Sequence, residues 1–350
     1  MIKKIILVLT IFLVSVFTLT GENNPSYNPS KLGEALYELG SPDIIAQGAS
    51  VAGGGLQSVS AEHIALNPAL TAGEQRVVIN TSFTTLIANK ESVAFGFAGQ
   101  LGAVIPSKYG VFTGSVYGIH STLDSLDFGT NFTIRAGFAK DVTDKLYVGT
   151  DLSFACGTTL GVNLALGFTY NYGTVKWLPV VKDFRLGFSL TAMGYVHKVQ
   201  SSTPLYNGKT TAYPSPFTPH IGIAGTLFEV GKVKGGMSLD FSFPTFQNAI
   251  INTGFQVLFF DIVKVKIGEE LNIRELVAGK ASVIPSISLS AKIGINTKDD
   301  SFFAKQGWQQ SEIVPVVGYR YLNDGIQAIS AGLVAYLGLR DTSAPEIILW

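Results

Sequence analysis

The sequence predicts an all-β fold, a transmembrane antiparallel β-barrel of about fourteen strands, on three observations. From Val77 onward large apolar residues alternate with small or polar ones: on Gly161–Tyr172, Val162, Leu164, Leu166, Phe168, Tyr170 and Tyr172 interleave with Gly161, Asn163, Ala165, Gly167, Thr169 and Asn171. Charged residues make up 14% of the 350 positions and mean hydropathy is +0.32, whereas soluble domains carry about 25% charge. A secretory leader precedes the alternating region, and no later stretch is apolar enough for a spanning helix. In lipid every backbone polar group must be satisfied internally, which leaves a closed barrel. An exported soluble β-sandwich would also alternate, but its outward faces would be studded with Lys and Glu. Here the polar faces are mostly Gly, Ser, Thr, Asn and Ala, residues suited to a narrow lumen.

Residues 1–21 have the design of a signal peptide: Lys3 and Lys4, an uncharged run from Ile5 to Leu19, then polar Glu22, Asn23 and Asn24. The cut falls near Thr20 to Glu22, and no cysteine follows to accept a lipid. Residues 22–76 are rich in Gly, Ala and Ser, with helix-like fragments at Leu32–Leu39 and Val59–Leu66 and little period-two alternation, so they are not barrel wall.

Residues 77–340 carry the wall. The proposed strands are 77–86, 92–105, 110–120, 129–140, 146–157, 161–172, 184–196, 217–230, 232–243, 249–260, 263–273, 283–295, 312–322 and 326–339. Asp141–Asp144, Glu229–Gly231 and Asn323–Gly325 have tight-turn chemistry. Ser121–Asp127, Gln200–Pro216 and Thr297–Gln310 read as longer polar connections, which in outer-membrane barrels gather at the outer end. Pro285 and Pro315 fall within proposed strands and Pro244 at the end of one; kinks beside a sideways exit, or ordinary edge and bulge positions, account for them equally well. Residues 341–350, with Pro345, read as a C-terminal extension.

Period two assigns faces. Phe132, Ile134 and Phe138 oppose Asn131, Thr133, Arg135 and Gly137; Phe184, Leu186, Phe188 and Leu190 oppose Arg185, Gly187, Ser189 and Thr191; Met237, Leu239, Phe241 and Phe243 oppose Ser238, Asp240 and Ser242. A cation facing mid-bilayer lipid costs ~2–4 kcal/mol. Arg135, Asp151, Arg185, Asp240, Lys292 and Arg320 therefore belong in the lumen, as a polar network and as candidate ligand contacts.

Other chemistry is not indicated. Cys156 is the single cysteine and falls on the apolar side of its strand, so neither a disulfide nor a metal site is expected. His63, His120, His197 and His220 stand in no catalytic motif, so no catalytic residue and no cofactor is assigned. A net charge of +0 without a basic block gives no footprint for nucleic acid.

The segment Gly48–Gly55, with Gly53, Gly54 and Gly55, followed by Val59–Leu66 and the tripeptide Asn67, Pro68, Ala69, resembles the opening of FadL-type outer-membrane long-chain fatty acid transporters and their PorV-like relatives. A segment like Pro106–Gly110 also occurs between early strands in a spirochaetal group of that superfamily. The residue before the tripeptide, often aromatic in the family, is Leu66, and the one after it, often glycine, is Leu70. The resemblance implies a fourteen-stranded barrel in the cell outer membrane, with residues 22–76 folded inward as a hatch. It implies a hydrophobic small-molecule ligand such as a fatty acid, contact with outer-membrane lipid, and barrel-assembly machinery as a partner during biogenesis. The second function it suggests is a PorV-like surface protein that binds other proteins through its loops, with Tyr206, Tyr213 and Phe217 as contacts.

Overall fold

The computed structural model describes residues 39–88, 95–123, 126–157, 160–174, 180–197, 204–205, 208–209, 217–277, 284–296, 308, 310–322 and 326–338. The leader, residues 22–38, Tyr206, Tyr213, 323–325 and the 339–350 end lie outside this set.

The wall begins with β1 (Val77–Ala88), β2 (Phe95–Ser107), β3 (Gly110–Leu123), β4 (Leu126–Asp141), β5 (Leu146–Gly157), β6 (Leu160–Gly173) and β7 (Lys182–His197). A short hairpin, β8 (Pro204–Leu205) and β9 (Gly208–Lys209), stands apart from the wall. The wall continues with β10 (Thr218–Val230), β11 (Val233–Ser242), β12 (Ile250–Phe259), β13 (Val263–Asn272), β14 (Ser286–Ala291), β15 (Ile293–Asn296), β16 (Gln310–Tyr321) and β17 (Ile326–Leu337). Each strand pairs antiparallel with its neighbour. β1 meets β17 from Val77↔Leu337 to Ala88↔Ile326, and both β14 and β15 pair with β16. Since β14 and β15 are one strand interrupted at Lys292, the sheet closes as a fourteen-stranded antiparallel barrel, as the alternation predicts.

The two faces sort as the two-solvent pattern requires. Phe83, Leu101, Ile134 and Leu152 point outward, each more than half exposed on the bare protein, whereas Asn131, Thr133, Asp151 and Ser153 of the same strands are buried inside. The outer apolar belt is complementary to acyl chains. No helix among the described residues is long and apolar enough to cross a membrane.

Two turn expectations change. β3 and β4 run on through Thr122↔Asp127 and Leu123↔Leu126 after a register shift at Ser121, so the connection read as Ser121–Asp127 shrinks to residues 124–125. Leu123 is buried with Leu86, Ile119 and Ile326, and that apolar cluster draws the hairpin out. Second, the long connections do not share an end. Residues 198–217 leave the end where β7 stops and β10 starts; five strands later residues 297–309 leave the opposite end, which also holds Val77 and Leu337. Strand parity, not connection length, decides the end. Pro244 opens a 3-10 turn after β11, Pro285 precedes β14, and Pro315 sits in β16 opposite the β14–β15 interruption. There the missing N–H leaves fewer ladder bonds to make.

Residues 39–76, ahead of β1, occupy the barrel interior. It holds α1 (Pro42–Ile45) and two 3-10 turns, Ala61–Ala65 and Pro68–Thr71. Against β1–β3 and β16–β17 it packs by apolar contact: Leu39 and Ile45 join Leu86, Ile119 and Ile326 near one end, and Ala61 joins Val78, Val104 and Tyr336 near the other. Against β5–β13 it docks chiefly through hydrogen bonds.

Candidate functional site

The interior segment turns on its glycines. Gly53 and Gly54 have φ of +90° and +75°, left-handed conformations that cost an L side chain about 1–2 kcal/mol. A Cβ on Gly55 would overlap the backbone of Gly236 on β11, so segment and wall touch main chain to main chain. Further wall glycines admit it elsewhere: a Cβ on Gly149 would lie 2.6 Å from Ala69 N, and one on Gly187 2.6 Å from Ala52 N.

Two of the sequence-assigned charges, on β7 and β11, grip this turn. Arg185 donates from Nε to Ala52 O (3.1 Å), from one terminal nitrogen to Gln57 Oε1 (3.1 Å) and from the other to Gly54 O. Asp240 accepts from Ser50 Oγ (2.7 Å) and Val51 N (3.2 Å). Asn67 ties the second half of the segment to the first: its Oδ1 caps Ala69 N at 3.0 Å, while Nδ2 donates to Val51 O at 2.6 Å and Phe168 O of β6 at 3.1 Å. Pro68 follows at the first position of its 3-10 turn, where its missing N–H costs nothing. Instead of merely ending the preceding helical piece, it begins the next.

The other four assigned charges have ion-pair partners elsewhere in the barrel. Arg135 pairs with Asp151 (3.5 Å) inside the wall, and Arg320 with Glu270 (3.2 Å). Lys292 lies at the rim, with 41% of its side chain exposed, 3.4 Å from Glu312, which also receives Arg76 at 3.1 Å. Its position at the β14–β15 interruption removes it from the deep lumen. Lys266, paired with Asp43 of α1, and Glu270, which accepts from Gln47 at 2.7 Å, escaped sequence assignment. The signal was present: Val263, Val265 and Ile267 toward lipid put Lys264, Lys266, Gly268 and Glu270 inside. Of the proposed loop contacts, Phe217 packs on Phe246 with ring centroids 6.2 Å apart.

The segment carries its own titratable group cluster. Burial, reinforced by the charge of Asp43, pushes the Glu62 carboxyl up to about 7. Burial holds His63 down to about 4. Burial also works against ionised Asp43, but the charge and hydrogen bond of Lys266 carry it below the usual carboxylate value. Among the described residues no group of three His, Cys, Asp or Glu could hold a metal ion.

Cavities lie on both sides of the segment. One, of about 160 Å³, opens toward the β7–β10 end and is bordered by Leu66, Arg135, Asn163, Ala192, His220 and Arg320. The other, of about 330 Å³, lies toward the end holding the first residue of β1 and is bordered by Asp43, Arg76, Lys264, Lys292, Glu312 and Tyr336. Asp43 lines one and its neighbour Ile44 the other, so the segment stands between them. Beside the first cavity the wall is irregular: Leu164↔Met193 is followed by Leu166↔Leu190, which sets Thr191 and Ala192 against Ala165 alone, with Ala192 at φ +56°. This β-bulge breaks the β6–β7 ladder.

No protein-family model and no curated protein matches the sequence. Solved structures do match in fold. The toluene transporter TodX of Pseudomonas putida superposes with a TM-score of 0.52 at 11% identity, over 87% of this chain and 100% of that one. The CymD monoaromatic hydrocarbon channel gives 0.53 at 11% identity, over 88% and 100%. The toluene transporter TbuX of Ralstonia pickettii gives 0.51 at 13%, over 87% and 100%. The chain thus shares the fold of these hydrocarbon transporters and channels.

Proposed function

We propose that this protein takes up hydrophobic small molecules across the outer membrane, with the segment before β1 acting as a hatch. The observation that carries this reading is a lumen divided by one inserted segment into two cavities, the first beside a broken stretch of wall. A molecule entering from outside reaches the cavity under the β7–β10 end, and the hatch, docked by Arg185, Asp240 and Asn67, bars the way to the second. The β6–β7 bulge gives a sideways path from the first cavity into the bilayer, where an apolar solute is at home. The end with the first residue of β1 and most of the tight turns then faces the periplasm. Transport runs down the solute gradient. The residues of Gly53–Gly55 and Asn67–Ala69 form the hatch elements in this reading.

Long-chain fatty acids are the cargo that the sequence resemblance suggests, and toluene is the cargo of two proteins sharing the fold. Uptake of both, labelled, by proteoliposomes holding the full chain tests the proposal. Faster entry of at least one than into protein-free vesicles is expected. Equal rates for both, together with no lipid or hydrocarbon co-purifying by mass spectrometry, overturn it.

A further inference from the structure

Asn163 sits on the lumen side of β6 with 4% of its surface exposed, and it borders the smaller cavity. Neither its Nδ2 nor its Oδ1 has a hydrogen-bond partner among the described residues. Asn252 Oδ1, bordering the same cavity from β12, is likewise unmet. A buried polar group left unsatisfied is destabilising, because its lost hydration is not replaced. Gln256 of β12, by contrast, spends its amide on the inserted segment, donating to Gly48 O and accepting from Leu56 N. A donor and an acceptor on one side chain, unmet and buried beside the cavity and the β6–β7 bulge, are groups that a hydrogen-bonding ligand would satisfy.

Size and charge narrow the ligand. The cavity of about 160 Å³ compares with the ~150 Å³ that accommodates a benzene ring in an engineered protein cavity. Its two arginines are already committed, Arg135 to Asp151 and Arg320 to Glu270, and Asp240 adds a third carboxylate to the lining. An incoming carboxylate would find no uncommitted guanidinium there and three acidic neighbours. A bare hydrocarbon would leave Asn163 unmet.

Resting on the uptake reading above, we infer that this cavity selects compact, uncharged molecules of one-ring size that carry a hydroxyl or similar hydrogen-bonding group, with Asn163 as the residue that sets the preference. The hydroxyl exchanges hydrogen bonds with the Asn163 amide while the ring lies against Leu66, Ala165 and Ala192.

Equilibrium dialysis of the full chain in detergent, against detergent alone, with phenol, toluene and benzoate tests this. Phenol is neutral at pH 7 because phenolic hydroxyls titrate near pH ~10. Wild type should bind phenol about tenfold more tightly than either of the others. Asn163→Leu should lose that preference, with toluene affinity unchanged or improved, while heat-modifiable migration reports that the barrel is intact. Equal phenol and toluene affinities in wild type, or tighter benzoate, overturn the inference without any variant, as does a preference that survives in a folded N163L. Unselective toluene entry into proteoliposomes would leave the uptake reading standing while this inference fails; entry of no solute at all would sink the uptake reading itself.

Discussion

Gly187 is one of the points where the wall comes close to the main chain of the hatch, and replacing it with alanine separates the two. A Cβ there would lie 2.6 Å from Ala52 N and nearer still to the Val51 carbonyl, against an ordinary contact distance of ~3.5 Å. The contact is with main chain, so no rotamer change relieves it, and the Gly53–Gly54 turn must move by roughly 1 Å. That motion pulls on the bonds from Arg185 to Ala52 O and from Val51 N to Asp240. Overpacking of this kind costs about 1–3 kcal/mol, which raises the undocked-to-docked ratio of the hatch roughly 5- to 150-fold. The wall itself gains, because alanine in a strand is better than glycine by about 0.5–1 kcal/mol. Hydrogen exchange on Ser50–Gln57 should therefore accelerate by that factor in Gly187→Ala, while exchange in β6 and β7 stays slow and conductance in planar bilayers rises. Gly114→Ala, whose Cβ would find nothing nearer than 4.0 Å, serves as the control. Wild-type exchange on Ser50–Gln57 in a folded G187A would refute the argument that this close approach holds the hatch.

Arg185→Met removes charge-assisted donors worth about 1.5–3 kcal/mol apiece from Ala52 O and Gly54 O. Exchange over Gly53–Gln57 should rise at least tenfold with barrel melting little changed; unaltered exchange would show that Arg185 is not a hatch anchor. A pH experiment probes the opposed titrations of Glu62 and His63. Docked Glu62 holds its proton up to about 7, so docking through it is weakest above pH 7 and strengthens as pH falls toward the ordinary carboxylate range. Docked His63 stays neutral down to about 4, so its contribution is full above ~6.5 and is lost on acidification. Each effect is on the order of 3 kcal/mol at full extent, and they largely cancel in the wild type. His63→Gln should unmask the first: protection of Ser60–Leu66, corrected for intrinsic exchange, should grow from pH 7.5 to 5.5 far more than in wild type. A flat profile in H63Q would remove Glu62 from the account.

The wall was readable because its residues face two unlike solvents. A wrong parity on β4 would have put Arg135 in lipid and Ile134 against Asp151, so each strand declares its own faces. Partners were not readable in this way. Arg185 could be placed inside by parity, but the acceptor on Gly54 is 131 residues away and becomes its neighbour only when the hatch enters. The β6–β7 bulge left no mark either, since Ala192 is not a residue that advertises a positive φ. The end at which 297–309 emerges was countable from strand parity, and connection length was the weaker guide.

Spin labels placed one at a time along 130–136 of β4 measure the central claim most directly, by comparing collisions with lipid-soluble oxygen and with a water-soluble nickel chelate in proteoliposomes. A wall with lipid outside and a filled lumen inside predicts oxygen maxima at 132, 134 and 136, and low access to both reagents at 131, 133 and 135. Uniform nickel access at every position, or the same pattern in protein that needs no lipid or detergent to stay in solution, would contradict it.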